Sequence, residues 1–563
     1  MSFMGSDLKV VAITAGIAMG IASIAACSRS SAPDAASVGG LGECSTDVAT
    51  DQAIVPALLP SVDLVRQRQM AADQFGNGFR VSANRAELDY IHYLAAQLRK
   101  IGATEVTEEP YTFTAWSPKT TKLSVVQGPA PGPVKVAYFI PSSGSTGPDG
   151  LTAPVTYLSV LSDVNLVGAV YTALTQQSPG NVLLSVQAAL QSAIAGGVSL
   201  TQAIASANVA GKIVMYDAPK IALPIGVFQA LSVYVNNSSG TMGPEVPYDR
   251  PFINQLVLIG AINAALKAAG AAGVIAVVDY PPAAADNAYV PFGGLAIPSV
   301  PGIYLDRYTG AALKQQIVDS GVTPLTVKLT LDASESQATS YNVSGLIPGA
   351  CDTQILVSSH SDGPNSIEDN GPAAILSIAD YFARAPASQR RRGLKIVFTG
   401  GHMVGSPGIN AYIEKHQAEL SAKVLTAIEI EHLGAREWLE LSPGVMALDG
   451  LPEPLVLYAG LGSVQQDENI TFAKNFDRSL VTIPLPFGEG PAWASAAGLP
   501  KIQVITGPVY LLNGPLKEVS TEYTDYDLEQ RQITAFIQMI LNLNTQTAQT
   551  LRSDQNFPNV ALP

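Results

Sequence analysis

Residues 356–371 read Leu356-Val-Ser-Ser-His-Ser-Asp-Gly-Pro-Asn-Ser-Ile-Glu-Asp-Asn-Gly371. An apolar strand is predicted to end at His360, which is followed by Asp362 in a His-x-Asp pattern and by Asp369 just before a predicted helix. A neutral imidazole is a good metal ligand, a nearby carboxylate orients its ring, and a second carboxylate can bridge two cations. The pattern therefore predicts a hydrolytic metal site at the end of a strand.

Strand and helix patterns alternate around this stretch. We predict strands at about 353–359, 394–399, 424–430 and 501–506, and helices at about 372–384, 408–420 and 526–542. This alternation indicates an α/β fold, with a mostly parallel sheet and helices on both faces. Ligands of such sheets lie beyond the carboxyl ends of the strands, where His360 and Glu431 are expected.

Composition limits the classes of function. The chain has 563 residues, enough for about two to four domains, with 47% hydrophobic and only 14% charged residues. Its formal net charge is −14. Nucleic-acid binding needs clustered Lys and Arg, and the one basic cluster, Arg390–Arg392, is expected to be a solvated loop. Nucleic acid is therefore not an expected partner.

The N-terminus has the pattern of an export signal. Met1–Lys9 is followed by the uncharged, apolar run Val10–Ala26, and small residues precede Cys27, as in a bacterial lipoprotein signal. An ordinary secretory signal and an uncleaved anchor are the alternatives. We expect lipidation at Cys27, with export to the cell envelope and anchoring on the outer face of a membrane. Cys44 and Cys351 are then candidates for a disulfide.

The chain divides into segments by composition and periodicity. A helix with Leu88, Ile91, Leu94 and Leu98 on one face is predicted at about 86–99. No pattern is evident at 151–207, which is a candidate helical insertion. The predicted segments are a signal peptide (1–26), a flexible tether (27–52), a first part of the main domain (53–125), an inserted domain (126–335), the metal-site part of the main domain (336–545) and a tail (546–563).

The main domain resembles the di-zinc aminopeptidase family that includes glutamate carboxypeptidase and the transferrin receptor. The residues that carry this resemblance are His360, Asp362 and Asp369-Asn-Gly371. The inserted domain resembles the protease-associated domain, through Gly211-Lys-Ile-Val, Ala268-Ala-Gly-Ala-Ala-Gly-Val-Ile and Ile297-Pro-Ser-Val-Pro. The resemblance implies a zinc exopeptidase-like α/β fold with an inserted α+β domain, one or two zinc ions, and a peptide or amide substrate.

The resemblance also implies roles for single residues. His360 and Asp369 match metal ligands, and Asp362 matches the residue that orients His360. Further along, His402 matches a ligand, and Gly401 stands where the family has its general base. A satisfied core histidine and a helix-capping aspartate are the structural alternatives for His360 and Asp369.

Two glutamates lie at the end of the strand predicted at 424–430, Glu429 within it and Glu431 directly after it. Glu431 matches the next ligand, and the period of two puts Glu429 on the same face of the strand. A salt-bridged surface strand is the alternative. Because glycine cannot take a proton, Glu429 or Glu368 is a candidate for the missing base.

The family's last ligand is a histidine before the final helix, and Glu518–Asp527 contains none. Thr521 is the best match for its position, with Glu522 or Asp525 as alternative ligands. Glu489 stands where the family's substrate loop often has an Asp-His pair. His92 and His416 lie in amphipathic helices and are expected to be structural.

Two main functions follow from this inventory, and a third option keeps an enzyme but changes its substrate, as in a cyclase or an amidase. The first is an exported, lipid-anchored, metallopeptidase-like hydrolase of peptide or amide bonds with a remodelled site, its metal held by His360, Asp369, His402 and Glu431 and its catalysis assisted by Asp362 and Glu429. The second is a catalytically inactive relative that acts as a cell-surface binding module. The first predicts that the four ligands converge, although they are far apart in the sequence.

Overall fold

The computed structural model describes residues 52–159, 204, 207–218, 222–250, 259–289, 300–485, 487–514 and 522–553. Helices α1–α12 span Val62–Asp73, Arg85–Ile101, Ile225–Ala230, Gly260–Ala268, Pro282–Ala285, Arg307–Asp319, Gly371–Arg384, Pro407–Lys423, Val464–Ala473, Gly490–Ser495, Tyr526–Thr545 and Ala548–Arg552. Strands β1–β19 span Thr104–Gln127, Gly132–Val134, Tyr138–Phe139, Leu151–Leu158, Ile213–Asp217, Ala222–Pro224, Ser232–Asn236, Pro247–Asp249, Gly273–Val277, Gly302–Leu305, Thr326–Ile347, Cys351–His360, Arg392–Thr399, Val424–Ile430, Arg436–Ser442, Val445–Pro452, Leu455–Ala459, Ser479–Thr482 and Lys501–Thr506.

Four adjacent parallel strands form the centre of the main sheet, in the order β13-β12-β14-β19. Strands β13 and β14 are buried along their whole length, as expected for parallel strands covered on both faces. Helices α7 and α11 pack in the large core that covers these strands, and α8 packs in a smaller core with β12–β14. The structure thus confirms the predicted α/β class, a mixed and mostly parallel sheet with helices.

Local sequence explains where the helices begin and end. Helix α2 begins after Asn84, whose side chain accepts a hydrogen bond from the backbone N–H of Glu87 at 2.7 Å. It ends at Gly102, which has a left-handed φ of 96°. The predicted apolar stripe is buried at Ile91, Leu94 and Leu98, so α2 packs against the main sheet through it.

The strands β1 and β11 form a long antiparallel ribbon that joins two sheets into one. Their pairing runs from Thr104↔Leu346 to Gln127↔Thr326. The described residues between β1 and β11, here called the insert, contribute β4, β5, β9, β10 and β3 to the far end of the same sheet. The predicted domain boundaries at 125/126 and 335/336 therefore fall inside continuous strands and mark no break in the backbone structure.

The insert also contacts the main domain through strand pairing and through buried charges. Strand β7 pairs with β18 at the opposite edge of the sheet. The buried Arg250 guanidinium lies 2.8 Å from a Glu453 carboxylate oxygen and 3.0 Å from Glu437. Charged groups this deeply buried need such partners, so the insert is fixed to the main domain by a buried ion-pair cluster.

Several predictions concern residues outside the described ranges. The signal peptide, Cys27, Cys44 and nearly all of the tether lie there, as does most of 151–207. Cys351 is disulfide-bonded. In the predicted tail, α12 packs into the main core through Ala548 and Leu551. Among the helices that the structure describes, none is long and apolar enough to cross a membrane.

Candidate metal centre

The carboxyl ends of the four central strands bring the candidate residues together. His360 is the last residue of β12, and His402 lies in one turn of 3-10 helix that follows β13. Glu431 and His432 directly follow β14, and Thr506 ends β19. Because parallel strands end at the same edge of a sheet, residues separated by more than 70 positions meet here.

His360 is held in one orientation by the backbone. Its Nδ1 lies 2.8 Å from the carbonyl oxygen of Asp362, which fixes the proton on Nδ1. Its Nε2 is buried and has no hydrogen-bond partner among the described residues. Burial lowers the pKa of His360 to about 3, so the ring is neutral and Nε2 offers a lone pair.

The carboxylate of Asp362 has a different role from the predicted one. It accepts hydrogen bonds from the backbone N–H groups of His402 and Met403, at 3.0 and 3.1 Å, and from Ser82 Oγ at 2.5 Å. Its backbone carbonyl, not its side chain, contacts the His360 ring. Asp362 therefore anchors the turn that carries His402, which corrects the expectation that its carboxylate orients His360.

His432 is a donor that the sequence did not assign. It has a left-handed φ of 58°, an uncommon conformation for a non-glycine residue and one that often marks functional sites. Its Nδ1 lies 2.6 Å from the carbonyl oxygen of Thr506, and no described residue hydrogen-bonds to its Nε2. Burial lowers the pKa of His432 to about 3. Its place after Glu431 at a strand end was the only signal in the sequence.

Glu431 lies where it was predicted. Its Oε1 accepts a hydrogen bond from the backbone N–H of Glu489 at 3.2 Å, whereas Oε2 has no partner in the described part of the chain. Burial raises the pKa of Glu431 to about 8. One donor atom each from His360, Glu431 and His432 lie within 4.8 Å of one another. These three residues form the first donor group.

Glu368 occupies the middle of the three imidazoles. Its Oε1 lies 3.8 Å from His360 Nε2, 3.9 Å from His402 Nε2 and 4.0 Å from His432 Nε2. Burial, and then the neighbouring carboxylates, raise the pKa of Glu368 well above its usual range. Donor atoms of His360, Glu368 and His402 also lie within 4.8 Å of one another and form the second donor group.

Asp369 is paired with Arg80 and belongs to neither donor group. Both of its carboxylate oxygens accept hydrogen bonds from the guanidinium of Arg80, Oδ2 at 2.6 Å from Nε, and both side chains are fully buried. Asp369, predicted as a metal ligand, is thus placed in an ion pair with Arg80, whereas its neighbour Glu368 approaches the three imidazoles.

His402 is the most accessible of the imidazoles. Its side chain is 13% exposed, and its Nδ1 lies 3.4 Å from Glu489 Oε1. Burial lowers the pKa of His402 to about 4. Thr399 Oγ1 donates a hydrogen bond to the other oxygen of Glu489, so the carboxylate is held beside the ring. His402, a predicted ligand, therefore lies beside Glu368, and Glu489 contacts the other side of its ring.

Gly401 has a φ of 80°, and a Cβ there would lie 2.8 Å from Pro407 Cγ. The position therefore favours glycine.

Glu429 belongs to neither donor group. Its Oε2 accepts hydrogen bonds from Ser358 Oγ and, at 2.9 Å, from Trp493 Nε1, in a fully buried position. Glu429, predicted as a catalytic residue, is thus placed inside the fold by its hydrogen bonds with Ser358 and Trp493. Among the other candidates, Asp525 caps α11 by accepting a hydrogen bond from Leu528 N–H at 2.9 Å. Thr521 lies outside the described residues.

The donor atoms fit a divalent metal ion. Buried polar atoms in proteins almost always have partners. Among the buried atoms without a hydrogen-bond partner in the described part of the chain are His360 Nε2, His432 Nε2, Glu431 Oε2 and Glu368 Oε2. Each donor group consists of two histidines and one glutamate, the set that holds catalytic zinc in several hydrolases.

The fold and this candidate centre define an α/β protein with the architecture of zinc exopeptidases. The structure is similar to BSAP, a zinc aminopeptidase from Bacillus subtilis, with a TM-score of 0.55, 14% identity, and coverage of 86% of this chain and 96% of that one. It is also similar to a peptidase M28 precursor from Shewanella amazonensis (TM-score 0.54, 16% identity, coverage 86% and 93%) and to an aminopeptidase from Aneurinibacillus sp. strain AM-1 (0.52, 14%, 87% and 94%).

Comparison of the sequence with protein families and with curated proteins finds no relative. At 14–16% identity the structural likeness establishes the fold. What this chain does must be argued from its own site.

Proposed function

We propose that this protein is a metal-dependent hydrolase of peptide or amide bonds, with one zinc ion held by His360, Glu431 and His432. The observation that carries the proposal is the convergence of three buried donor atoms that have no hydrogen-bond partner among the described residues. Leaving such atoms unpartnered is costly, and a bound cation removes that cost. Support for the substrate class comes from the structural neighbours named as aminopeptidases.

The first donor group is favoured over the second by the orientation of its rings. Backbone carbonyl oxygens lie 2.8 Å from His360 Nδ1 and 2.6 Å from His432 Nδ1, and such contacts fix the tautomer and the direction of a ligand. His402, in the second group, has its Nδ1 3.4 Å from Glu489 Oε1, and its side chain is 13% exposed, more than those of the first group. The ion is therefore assigned to the more rigid group.

A single ion is favoured over two by the charge around Asp369. The Arg80 guanidinium is fully buried and pairs with both oxygens of Asp369. A fixed positive charge at the carboxylate that was expected to bridge two cations opposes a second cation there. This is the remodelling that distinguishes the site from the di-zinc arrangement expected from the sequence.

The remaining side chains are suited to move protons. Zinc at the first donor group would supply a Lewis acid for a substrate carbonyl and would make water more acidic. Glu368 Oε1, about 4 Å from the imidazole nitrogens, can accept a proton and pass it to the leaving amine. His402 lies on the exposed side, where it can contact the substrate while Glu489 orients its ring.

The test is zinc-dependent hydrolysis by the purified full-length protein. We expect about one zinc per chain after dialysis and cleavage of an aminoacyl-p-nitroanilide that a chelator abolishes and added zinc restores. Glu368→Gln should retain zinc but lose about 100-fold or more in kcat, in the range typical of an acid–base group. A protein with less than about a tenth of a zinc per chain after zinc addition, or with full activity in Glu368→Gln, contradicts the proposal.

A second candidate is an inactive binding module at the cell surface. Two points favour it: by the resemblance, Gly401 matches the position of the family's general base, and all the donors other than His402 are at most 3% exposed. Stoichiometric zinc binding without hydrolysis of a panel of aminoacyl and peptidyl amides is the result that would select this candidate.

Export and lipid anchoring complete the proposal. The disulfide at Cys351 supports export, because disulfides persist in oxidising compartments. Lipidation of Cys27 would leave Cys44 as its partner in the three-cysteine chain. The Cys27→Ser variant should lose incorporation of labelled fatty acid and leave the membrane fraction. Membrane association that survives this substitution would refute lipid anchoring through Cys27. We also propose that the insert is a protease-associated-like domain, on the sequence resemblance alone.

A further inference from the structure

The turn that carries Glu368 is held by one buried amide, that of Asn365. Asn365 Oδ1 accepts hydrogen bonds from the backbone N–H groups of Ile367 and Glu368, at 2.9 and 3.2 Å. Oε2 of Glu368 has no hydrogen-bond partner within the described ranges, and its Oε1 lies 3.8 Å from His360 Nε2. The position of the Glu368 carboxylate therefore depends on its backbone, which Asn365 fixes.

The other end of the same amide holds a second loop. Asn365 Nδ2 lies 2.9 Å from the carbonyl oxygen of Tyr510, 2.7 Å from that of Leu511 and 3.0 Å from that of Asn513. An amide nitrogen has two protons, so the three carbonyls share them. Asn365 is 1% exposed, and these carbonyl oxygens would lose a buried donor without it.

The 510–514 loop is in turn bound to the insert. Asn513 Nδ2 donates to the carbonyl oxygens of Ala284 and Asp286, at 3.1 and 3.0 Å. The backbone N–H of Tyr289 donates to the carbonyl oxygen of Leu512 at 2.7 Å. A continuous chain of buried hydrogen bonds thus runs from the insert, through the loop and Asn365, to the turn of Glu368.

We infer that Asn365 is a positioning residue that holds Glu368 at the three imidazoles and couples its placement to the insert. The assignment of a proton-transfer role to Glu368 rests on the proposed function, whereas the coupling rests on the hydrogen bonds alone. A displacement of the 284–289 segment is then transmitted to the carboxylate, so the insert influences the rate of the reaction without contacting the substrate.

The test compares Asn365→Asp with a matched control, Asn544→Asp. Aspartate keeps the acceptor of Asn365 and removes the donor that holds the three carbonyls. Asn544 is also a buried amide that ties two segments, accepting from Arg392 N–H at 3.1 Å and donating to Gln389 O at 3.0 Å, but it lies away from the site. A loss of stability alone affects both variants alike.

Three results are expected for zinc-loaded full-length protein. Asn365→Asp lowers kcat at least about tenfold, with KM within about twofold of the wild type, and Asn544→Asp leaves both unchanged per folded molecule. Zinc affinity, measured by chelator competition, is equal in both variants because Asn365 contacts no assigned ligand. Hydrogen exchange of the peptides that cover 284–289 and 508–514 is faster in Asn365→Asp only.

A second variant breaks the same chain of hydrogen bonds at the insert, and it tests the coupling even if Asn365→Asp does not fold. Asn513→Ala removes the bonds to Ala284 and Asp286 and should speed exchange of the peptide that contains Glu368, with a smaller loss of kcat in the same direction. Equal kcat and equal exchange in Asn365→Asp and Asn544→Asp, or unchanged exchange in Asn513→Ala, would overturn the inference. A wild-type protein without hydrolysis contradicts the proposed function only, because the exchange rates still test the coupling.

Discussion

At the scale of single residues, the hydrogen bond at one ring nitrogen of each histidine decides what its other nitrogen can bind. His360 and His432 each direct Nδ1 to a backbone carbonyl oxygen, from Asp362 and Thr506, so both present Nε2 to the same point. Burial keeps both rings neutral by lowering the pKa of each to about 3. Neutral, oriented imidazoles are the form that binds a metal ion.

The sequence identifies part of this constellation and misses the rest for physical reasons. His360 and Glu431 follow from strand ends, which apolar runs mark well. Whether Glu368 or Asp369 faces the site depends on the conformation of one turn and on Arg80, 289 positions away. No local pattern encodes that contact, so the resemblance could not show that Glu368, the neighbour of Asp369, approaches the imidazoles.

The His432→Ala variant tests the added donor. We expect zinc affinity to fall by at least about 100-fold, because loss of a mere orienting partner already costs about 10–100-fold. His92→Ala is the control, since His92 is 62% exposed and pairs with Glu108 on the surface. Competition with a fluorescent chelator gives both affinities. Unchanged zinc affinity in His432→Ala would remove this residue from the ligand set.

The Arg80–Asp369 pair makes a second prediction. Arg80→Met should destabilise the fold by about 3–5 kcal/mol, because it leaves a buried carboxylate without its partner. Asp369→Asn should also lower stability but keep zinc bound, since Asp369 pairs with Arg80 and belongs to neither donor group. Urea denaturation and metal analysis measure the two effects. Loss of zinc from Asp369→Asn, with the fold intact, would restore Asp369 as a ligand.

At the scale of elements, the sequence predicts the central strands and helices well. The strands β12, β13, β14 and β19 and the helices α7, α8 and α11 lie within a few residues of their predicted bounds, because long buried runs have strong periodicity. The full length of the β1–β11 ribbon could not be predicted from the sequence. Its middle, Ser334–Gln337, is exposed and polar, so apolar alternation disappears where the strand continues.

The turn after β13 makes a prediction about Gly401. Gly401→Glu should not raise activity and should cost about 1–2 kcal/mol or more, because its φ of 80° disfavours a side chain and its Cβ would meet Pro407 at 2.8 Å. Gly243→Ala, where a Cβ makes only an ordinary 3.5 Å contact, is the control. Thermal unfolding and kcat test this. A gain of activity in Gly401→Glu would identify a lost base at this position.

At the scale of the whole molecule, the ribbon, the β7–β18 pairing and a buried charge cluster join the insert to the main domain. Sequence periodicity could indicate that an insert exists, but the partners Arg250, Glu437, Glu453 and Arg478 are separated by up to 228 positions. Such long-range pairs are set by tertiary packing, which no local pattern reports.

This cluster predicts a pH dependence of stability. Burial and the charge of Glu453 raise the pKa of Glu437 to about 7, above its usual value of about 4.3. The folded state therefore binds more protons between these values, and this contribution to stability is full below about pH 4.3 and lost as pH rises through about 7. In Glu437→Gln, the free energy of unfolding, measured by urea denaturation at a series of pH values, should fall less between about pH 4.3 and 7 than in the wild type. An equal dependence of the unfolding free energy on pH in the wild type and the variant would contradict this prediction.

The most direct test of the account is anomalous diffraction at the zinc edge from crystals of the zinc-loaded full-length protein. The account predicts a single peak, about 2.0–2.2 Å from Nε2 of His360, Nε2 of His432 and a carboxylate oxygen of Glu431. No peak at these residues, or two peaks about 3.5–4 Å apart with Asp369 between them, would contradict it.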